Sequence, residues 1–210
     1  MERNEDLKGD AFVKRPAVFI DRDGTVNEQM GYINHLSRFV LLPGVPEAVS
    51  LLNKNNFLAI IISNQSGVAR GYFPIELVNE VHAYMKTILK KKAAYIDGIF
   101  FCPHHPQGTV PEYTQECDCR KPKAGLVHQA LDSFDIDMSN SYVVGDRHLD
   151  IELAQCVGLR GVIVKTGYGL GDITHILPQS QLRPDCIAQD LLDAVKWIVE
   201  KRKKAPIVFS

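Results

Sequence analysis

The chain alternates between short, continuous apolar runs and longer segments in which apolar residues recur roughly every three to four positions. The first pattern indicates strands that are buried on both faces, and the second indicates amphipathic helices. The elements predicted in this way are strands at 17–20, 58–62, 96–101, 142–144 and 161–164, and helices at 44–53, 74–92, 125–134, 151–157 and 191–201.

This alternation predicts an α/β fold with a doubly wound parallel sheet. Three of the predicted strands run directly into polar clusters, which begin at Asp21, Ser63 and Gly145. In open sheets of this kind, ligands bind outside the carboxyl ends of the strands. We therefore expect the three clusters to converge on one crevice.

The chain of 210 residues is long enough for one substantial α/β core and too short for two ordinary domains. We therefore predict a single domain over 1–210, with its core at about 15–200. The formal net charge is −1, so no overall basic field favours nucleic acid or an acidic membrane as a partner. The local run Lys201–Lys204 indicates a solvated helix end.

No apolar stretch approaches the roughly 20 residues that a membrane-spanning helix requires. Residues 1–10 are charged and polar, and they lack the apolar core of a secretory signal. The five cysteines include Cys117 and Cys119, one residue apart, which suits metal or thiol chemistry better than a disulfide framework. We therefore expect a cytoplasmic protein.

The most informative segment is Asp21-Arg22-Asp23-Gly24-Thr25, at the end of the first predicted strand. Two close carboxylates repel each other, and one takes up a proton unless a cation neutralises them. Because Asp-Gly is common at turns, a surface turn explains this segment equally well when it is considered alone.

Three further clusters favour a site for phosphoryl transfer. Ser63 supplies a hydroxyl, Arg120 and Lys121 supply cations for phosphoryl oxygens, and Asp146 and Asp150 supply oxygen ligands that suit Mg²⁺. Each has a simpler explanation: a helix cap for Ser63 and Asp150, and a solvated turn for the two cations. Their occurrence together, in this order, favours one functional site.

The ordered set Asp21-Arg22-Asp23-Gly24-Thr25, Ser63-Asn64-Gln65, Arg120-Lys121-Pro122 and Gly145-Asp146 resembles the haloacid dehalogenase (HAD) superfamily of phosphohydrolases. The resemblance implies a Rossmann-like core without a large cap domain. It also implies that Asp21 is the nucleophile and forms an aspartyl-phosphate, and that Asp23 is the general acid and base. Ser63 and Lys121 would steady the phosphoryl group, while Asp21, the Asp23 carbonyl and Asp146 would hold Mg²⁺.

The loop at 102–119 carries four residues of the types that bind zinc. A Cys₃His set is complete for a tetrahedral structural zinc, and a long loop without apolar anchors needs something to order it. Free thiols or a disulfide are the alternatives, and His105 is an alternative ligand to His104. Cys156 and Cys186 are expected to pack as small apolar side chains. The predicted zinc ligands are Cys102, His104, Cys117 and Cys119.

This loop narrows the resemblance, because a Cys-x-His…Cys-x-Cys loop before Arg-Lys-Pro is similar to the branch of heptose-bisphosphate and histidinol-phosphate phosphatases. The segments Gly31-Tyr32-Ile33, 64–71 and 102–108 look like the heptose enzymes. The resemblance implies hydrolysis of the C7 phosphate of D-glycero-D-manno-heptose 1,7-bisphosphate in nucleotide-heptose biosynthesis. Histidinol phosphate or another small phosphorylated metabolite is the alternative substrate.

The resemblance also implies a small phosphorylated sugar as partner and a monomeric enzyme. Arg147 stands where the heptose branch has lysine and looks more like the histidinol branch; it keeps the charge but presents a planar fork. Arg70, Arg120 and Arg147 would suit a second phosphate. The residues implied to line the substrate pocket are Gln29, Met30, Gly31, Tyr32, Ser63, Asn64, Gln65, Ser66, Arg120, Lys121 and Arg147.

Two other classes of protein could carry part of this set of residues. A receiver-like signalling module would carry a long-lived aspartyl-phosphate, but an acid and base two residues from the nucleophile accelerates hydrolysis. A zinc-stabilised binding module would have a dead site, whereas every expected catalytic position is filled.

Overall fold

The fold is built on a six-stranded parallel sheet. The computed structural model describes residues 14–204. The inference about a secretory signal in residues 1–10 therefore lies outside the described residues. The strands are β1 (Ala17–Ile20), β2 (Leu58–Asn64), β3 (Gly98–Cys102), β4 (Tyr142–Gly145), β5 (Arg160–Val164) and β6 (Cys186–Ala188). Their order across the sheet is β3-β2-β1-β4-β5-β6.

Helices cover both faces of the sheet, which explains why the central strands are apolar without interruption. The helices are α1 (Val45–Lys54), α2 (Ile75–Lys90), α3 (Gly125–Ser133), α4 (His148–Cys156), α5 (Gly169–Gly171) and α6 (Leu191–Lys204). Val18 and Ile20 belong to a core shared with α1, α2 and α6, whereas Ala17 and Phe19 belong to a core shared with α3 and α4. The fold is therefore the predicted doubly wound α/β sheet.

The chain reverses its direction of winding at β1, whose neighbours are β2 on one side and β4 on the other. Ile20 pairs with Val144, and the Asp21 N–H donates to the Val144 carbonyl at 2.8 Å. The residues that follow β1 and β4 therefore emerge side by side at the switch point where such sheets bind ligands. Within the described residues, the connections at the carboxyl ends of the strands are loops and short helical turns, as expected without a large cap domain.

Among the predicted boundaries that differ from the structure, two are set by polar side chains. Strand β3 begins at Gly98 instead of residue 96, because the Asp97 carboxylate accepts the Ala59 N–H at 2.9 Å in place of a backbone carbonyl. Helix α4 begins at His148 instead of residue 151. The Asp150 carboxylate there accepts the Arg147 N–H at 3.1 Å, and such a polar cap lies outside the apolar periodicity.

The sequence did not predict strand β6, helix α5 or the 3₁₀ turns Leu36–Arg38, Pro111–Tyr113 and Met138–Asn140. Strand β6 is only three residues long, too short to show a pattern, and α5 continues as helical turns to Gln179. Cys156 is exposed at the end of α4, so the expectation that it packs inside is wrong. Cys186 is partly buried against the core, as expected. None of the helices within residues 14–204 has the length and apolar character needed to cross a membrane.

Candidate active site

A cavity of about 280 Å³ opens at the carboxyl ends of the strands. The predicted polar clusters meet on its wall, as the strand order requires. Its lining includes these predicted site residues: Asp21, Asp23, Gln29, Gly31, Tyr32, Ser63, Asn64, Gln65, Ser66, Arg120, Lys121, Asp146 and Arg147.

Two residues predicted for the pocket lie elsewhere. Met30 packs against the hydrophobic core and does not line the cavity. Arg70 contacts the ring of His105 at 3.0 Å and is not on the cavity wall either. Of the three arginines considered for a second phosphate, Arg120 and Arg147 therefore remain.

The Lys121 ammonium group joins two carboxylates in the interior. Its Nζ donates to Asp21 Oδ1 at 2.6 Å, to Asp150 Oδ1 at 2.7 Å and to the Ile62 carbonyl at 3.1 Å. Burial alone would lower the pKa of Lys121, but the charges of the two carboxylates raise it above its usual value. Lys121 is therefore a cation that holds Asp21 with one hydrogen bond, while its two others anchor it to Asp150 and to the Ile62 carbonyl.

The side chains at the carboxyl end of β2 and directly after it support this arrangement. Asn64 Oδ1 accepts the Lys121 N–H at 3.0 Å, and Asn64 Nδ2 donates to the Lys121 carbonyl at 3.1 Å. Gln65 Nε2 donates to Ser63 Oγ and to Asp23 Oδ2, both at 2.8 Å. The two amides line the cavity, but their hydrogen bonds show that they also fix Lys121 and Asp23.

Asp23 is surrounded by hydrogen-bond donors. Arg22 Nη2 lies 2.9 and 2.7 Å from its two oxygens, Asn27 Nδ2 lies 3.0 Å from Oδ1, and Gln65 reaches Oδ2. Burial would raise the pKa of Asp23, but the Arg22 charge and these hydrogen bonds lower it overall. Asp23 is thus ionised, the form that accepts a proton from water.

The guanidinium group of Arg22 in turn contacts the ring of His82. Arg22 is only 2% exposed, and its Nη1 lies 3.2 Å from His82 Nε2. Burial and the Arg22 charge lower the pKa of His82 to about 3, so the neutral ring accepts the hydrogen bond. The sequence did not indicate this role, because His82 lies inside helix α2 without any local motif.

Oxygen atoms of Asp21, Asp146 and Asp150 lie within 4.8 Å of one another. Asp146 Oδ1 is buried and has no hydrogen-bond partner among the described residues, and such an atom is costly unless a cation satisfies it. Backbone packs closely around it, since a Cβ at Gly24 or Gly167 would clash with Asp146 Oδ2. These oxygen donors fit a hard cation such as Mg²⁺.

Both oxygens of Asp150 are already engaged, one by Lys121 and the other by the Arg147 N–H. The Asp23 carboxylate faces Arg22, whereas its backbone carbonyl accepts a long hydrogen bond from Gln29 Nε2 at 3.4 Å and keeps a second lone pair for a cation. The predicted set of Asp21, Asp146 and the Asp23 carbonyl is therefore the one that these contacts favour. Asp150, noted in the sequence only as a carboxylate or cap, both caps α4 and holds Lys121.

We expect Mg²⁺ to change how stability depends on pH. Burial raises the pKa of Asp21 to about 7, against the opposing charge of Lys121, and burial with the Asp21 charge raises that of Asp146 to about 8. Because both are raised above their unfolded values, they stabilise the metal-free fold at low pH. This stabilisation is fully present below about pH 4, the unfolded value, and it is lost progressively as the pH rises to the folded values of about 7 and 8.

The melting temperature in Mg²⁺-free buffer should therefore fall between about pH 5 and pH 9, and saturating Mg²⁺ should remove most of that fall. Thermal melts across this range, with and without Mg²⁺, measure the effect. Asp146→Asn is the control, since it removes one titrating group and should abolish the response to Mg²⁺. Identical pH profiles with and without Mg²⁺ would contradict this assignment.

The four predicted zinc ligands also come together. Neighbouring sulfur atoms of Cys102, Cys117 and Cys119 lie 3.5 and 3.4 Å apart, and His104 Nδ1 lies 3.4 Å from Cys119 Sγ and 3.9 Å from Cys102 Sγ. Ligands of a tetrahedral zinc are separated by roughly 3.5 to 3.8 Å. The ring of His105 turns to Arg70 instead, so His104 is the histidine of the cluster.

Known proteins resemble this chain in sequence and in fold. Two family models match, one described as HAD-hydrolase-like over residues 118–194 and one as polynucleotide kinase 3 phosphatase over residues 20–153. The D-glycero-β-D-manno-heptose-1,7-bisphosphate 7-phosphatase of Escherichia coli K12 is 38% identical over 192 residues, covering 90% of this chain and 97% of the relative. That of Salmonella typhi is 42% identical over 190 residues, with coverage of 90% and 97%.

The chain belongs to the HAD superfamily, in the heptose-bisphosphate phosphatase family. It is a phosphoric monoester hydrolase, as the sequence predicted. The D,D-heptose 1,7-bisphosphate phosphatase of B. bronchiseptica, solved with magnesium and phosphate, has a TM-score of 0.78 at 28% identity and covers 89% of this chain and 99% of its own. The Burkholderia thailandensis enzyme has a TM-score of 0.64 at 26% identity, with coverage of 88% and 99%.

Proposed function

We propose that this phosphatase hydrolyses the C7 phosphate of D-glycero-D-manno-heptose 1,7-bisphosphate through an aspartyl-phosphate on Asp21. The observation that carries the proposal is the arrangement of the cavity. A buried carboxylate fixed by Lys121 lies on the same wall as two arginines, Arg120 and Arg147, that can hold a second phosphate. The relatives named above support the choice of sugar.

In the first step, the Asp21 carboxylate attacks phosphorus and the sugar oxygen leaves with a proton from Asp23. Asp23 is ionised in the free enzyme, and the approaching phosphate charge raises its pKa so that it takes up a proton from solvent before the transfer. In the second step, water attacks the phosphorus of the aspartyl-phosphate, Asp23 takes the proton of that water, and the bond to Asp21 breaks to release inorganic phosphate. Covalent transfer thus divides one difficult displacement into two easier ones.

Two neighbouring side chains steady the phosphoryl group. Ser63 Oγ accepts a hydrogen bond from Gln65, so its own proton is available to a phosphoryl oxygen. Lys121 places a fixed positive charge beside Asp21. The Asp21 and Asp146 carboxylates and the Asp23 carbonyl would hold Mg²⁺, which supplies neutralising charge to the phosphoryl oxygens when bound.

We infer that zinc at Cys102, His104, Cys117 and Cys119 is structural, because four protein ligands leave no open position. Cys119 is followed directly by Arg120 and Lys121 in the chain. An ordered loop therefore fixes the start of the segment that carries both cations.

Activity against a substrate panel tests the proposed substrate. We expect the enzyme with Mg²⁺ to have a kcat/KM at least about tenfold higher for the heptose bisphosphate than for histidinol phosphate, since only the bisphosphate engages both arginines. Phosphorus NMR of the product should show that the C7 phosphate is lost and the C1 phosphate is kept. Faster turnover of histidinol phosphate, the alternative that an arginine at position 147 suggested, would refute the choice of sugar.

We also infer a single-domain monomer in the cytoplasm. One chain supplies every residue of the cavity described above, so the proposed chemistry needs no second copy. A zinc site of three thiolates requires a compartment that keeps cysteines reduced. Light scattering in solution should give a mass near the 23.5 kDa of one chain.

A further inference from the structure

The segment that follows β5 reaches back to the cavity and contacts Arg147. Asp172 Oδ2 accepts a hydrogen bond from Arg147 Nε at 3.1 Å. On another side, the ring of Tyr168 lies 5.0 Å from Arg147 Cζ, and Tyr168 also lines the cavity. Two side chains distant in sequence therefore fix the plane of one guanidinium group.

Asp172 is well suited to anchor this contact. It is only 6% exposed, and the same Oδ2 accepts the backbone N–H of His148 and its ring Nδ1, both at 2.7 Å. The first turn of α4 holds the Asp172 carboxylate in place, so the carboxylate does not move with the Arg147 side chain. The arginine is instead held in the position that the carboxylate sets.

This contact uses only one of the nitrogens of Arg147. Its terminal Nη1 and Nη2 have no hydrogen-bond partner within residues 14–204, and Arg147 is on the cavity wall. Two parallel N–H groups match two oxygens of a phosphate. The guanidinium group that Asp172 holds thus keeps its two terminal amino groups available for a phosphate.

We propose that Asp172 is a positioning residue, which holds Arg147 by Nε so that its terminal amino groups bind the second phosphate of a sugar bisphosphate. This inference rests on the proposed function. It gives a physical reason for the arginine at position 147. Lysine carries a single nitrogen, so a lysine bound to Asp172 would have no preorganised fork left for the phosphate.

Steady-state kinetics of Asp172→Ala and Asp172→Asn test the role. The two substrates are D-glycero-D-manno-heptose 1,7-bisphosphate and the 7-phosphate of the same sugar, which lacks the second phosphate. For Asp172→Ala we expect KM for the bisphosphate to rise about tenfold, with kcat and the KM for the monophosphate within about twofold of wild type. Asp172→Asn keeps an acceptor oxygen and should restore most of the affinity.

Asp132→Ala is the matched control. It makes the same change at an exposed position on α3 that does not line the cavity, so KM for both substrates should stay close to wild type. Arg147→Lys leaves Asp172 and its contacts with α4 unchanged and keeps the positive charge. It should raise KM for the bisphosphate selectively, and it also provides the test if Asp172→Ala does not fold.

The outcomes separate this inference from the proposed function. If the wild-type enzyme does not hydrolyse the bisphosphate, the proposed function fails. If it does, an unchanged or lowered KM for the bisphosphate in Asp172→Ala or Arg147→Lys overturns the positioning role alone. An equal rise in KM for both substrates also overturns it, because that result indicates a general disturbance of the site.

Discussion

Asp21→Asn is expected to lower kcat by roughly 10⁴-fold or more, because the amide can neither attack phosphorus nor carry the phosphoryl group to water. The structure supports such a large effect, since Asp21 is the carboxylate that Lys121 Nζ holds at 2.6 Å in the cavity. Release of inorganic phosphate from the heptose bisphosphate, at saturating Mg²⁺, measures the loss. Mass spectrometry of the acid-quenched reaction should show a phosphorylated chain for wild type and none for the variant.

The control for Asp21→Asn is Asp132→Asn, the same change at an exposed position on α3. It should keep wild-type kcat. Bound zinc shows whether Asp21→Asn is folded, because the Cys/His cluster lies on a different loop. A folded Asp21→Asn protein that retains activity would refute the assignment of the nucleophile.

Cys117→Ser is expected to have the largest effect on stability. The variant should lose its bound zinc and have a free energy of unfolding lower by roughly 4 kcal/mol or more, because binding of a structural metal contributes directly to folding. Elemental analysis and chemical denaturation measure the two effects. We also expect a lower kcat, because the loop leads directly into Arg120 and Lys121.

Cys156→Ser is the matched control for the zinc site. It makes the same chemical change at an exposed cysteine outside the cluster, so zinc content and stability should equal those of wild type. A Cys117→Ser protein that keeps wild-type stability and full activity would show that the loop does not need the metal. Wild-type protein without zinc that is folded and active would lead to the same conclusion.

The sequence alone determined the fold class and the chemistry of the reacting groups. Strands such as β1 are buried on both faces, so their residues must be apolar, and an uninterrupted apolar run reveals them. The predicted reacting groups belong to local motifs at strand ends, and the chain order of Asp21, Ser63, Lys121 and Asp146 carries the resemblance to the HAD phosphatases. Spacing likewise indicated the cluster that could hold zinc, because a Cys-x-His pair and a Cys-x-Cys pair supply its four residues.

Only the tertiary structure decided which side chains hold those groups in place. Asp150 and Asn64 fix Lys121, His82 supports Arg22, and Asp172 orients Arg147 across 25 positions of sequence. Each of these partners lies on another element, and the local pattern around it does not show which group it contacts. Periodicity and local motifs record what a residue does within its own segment, whereas a contact between segments exists only once the sheet has brought them together.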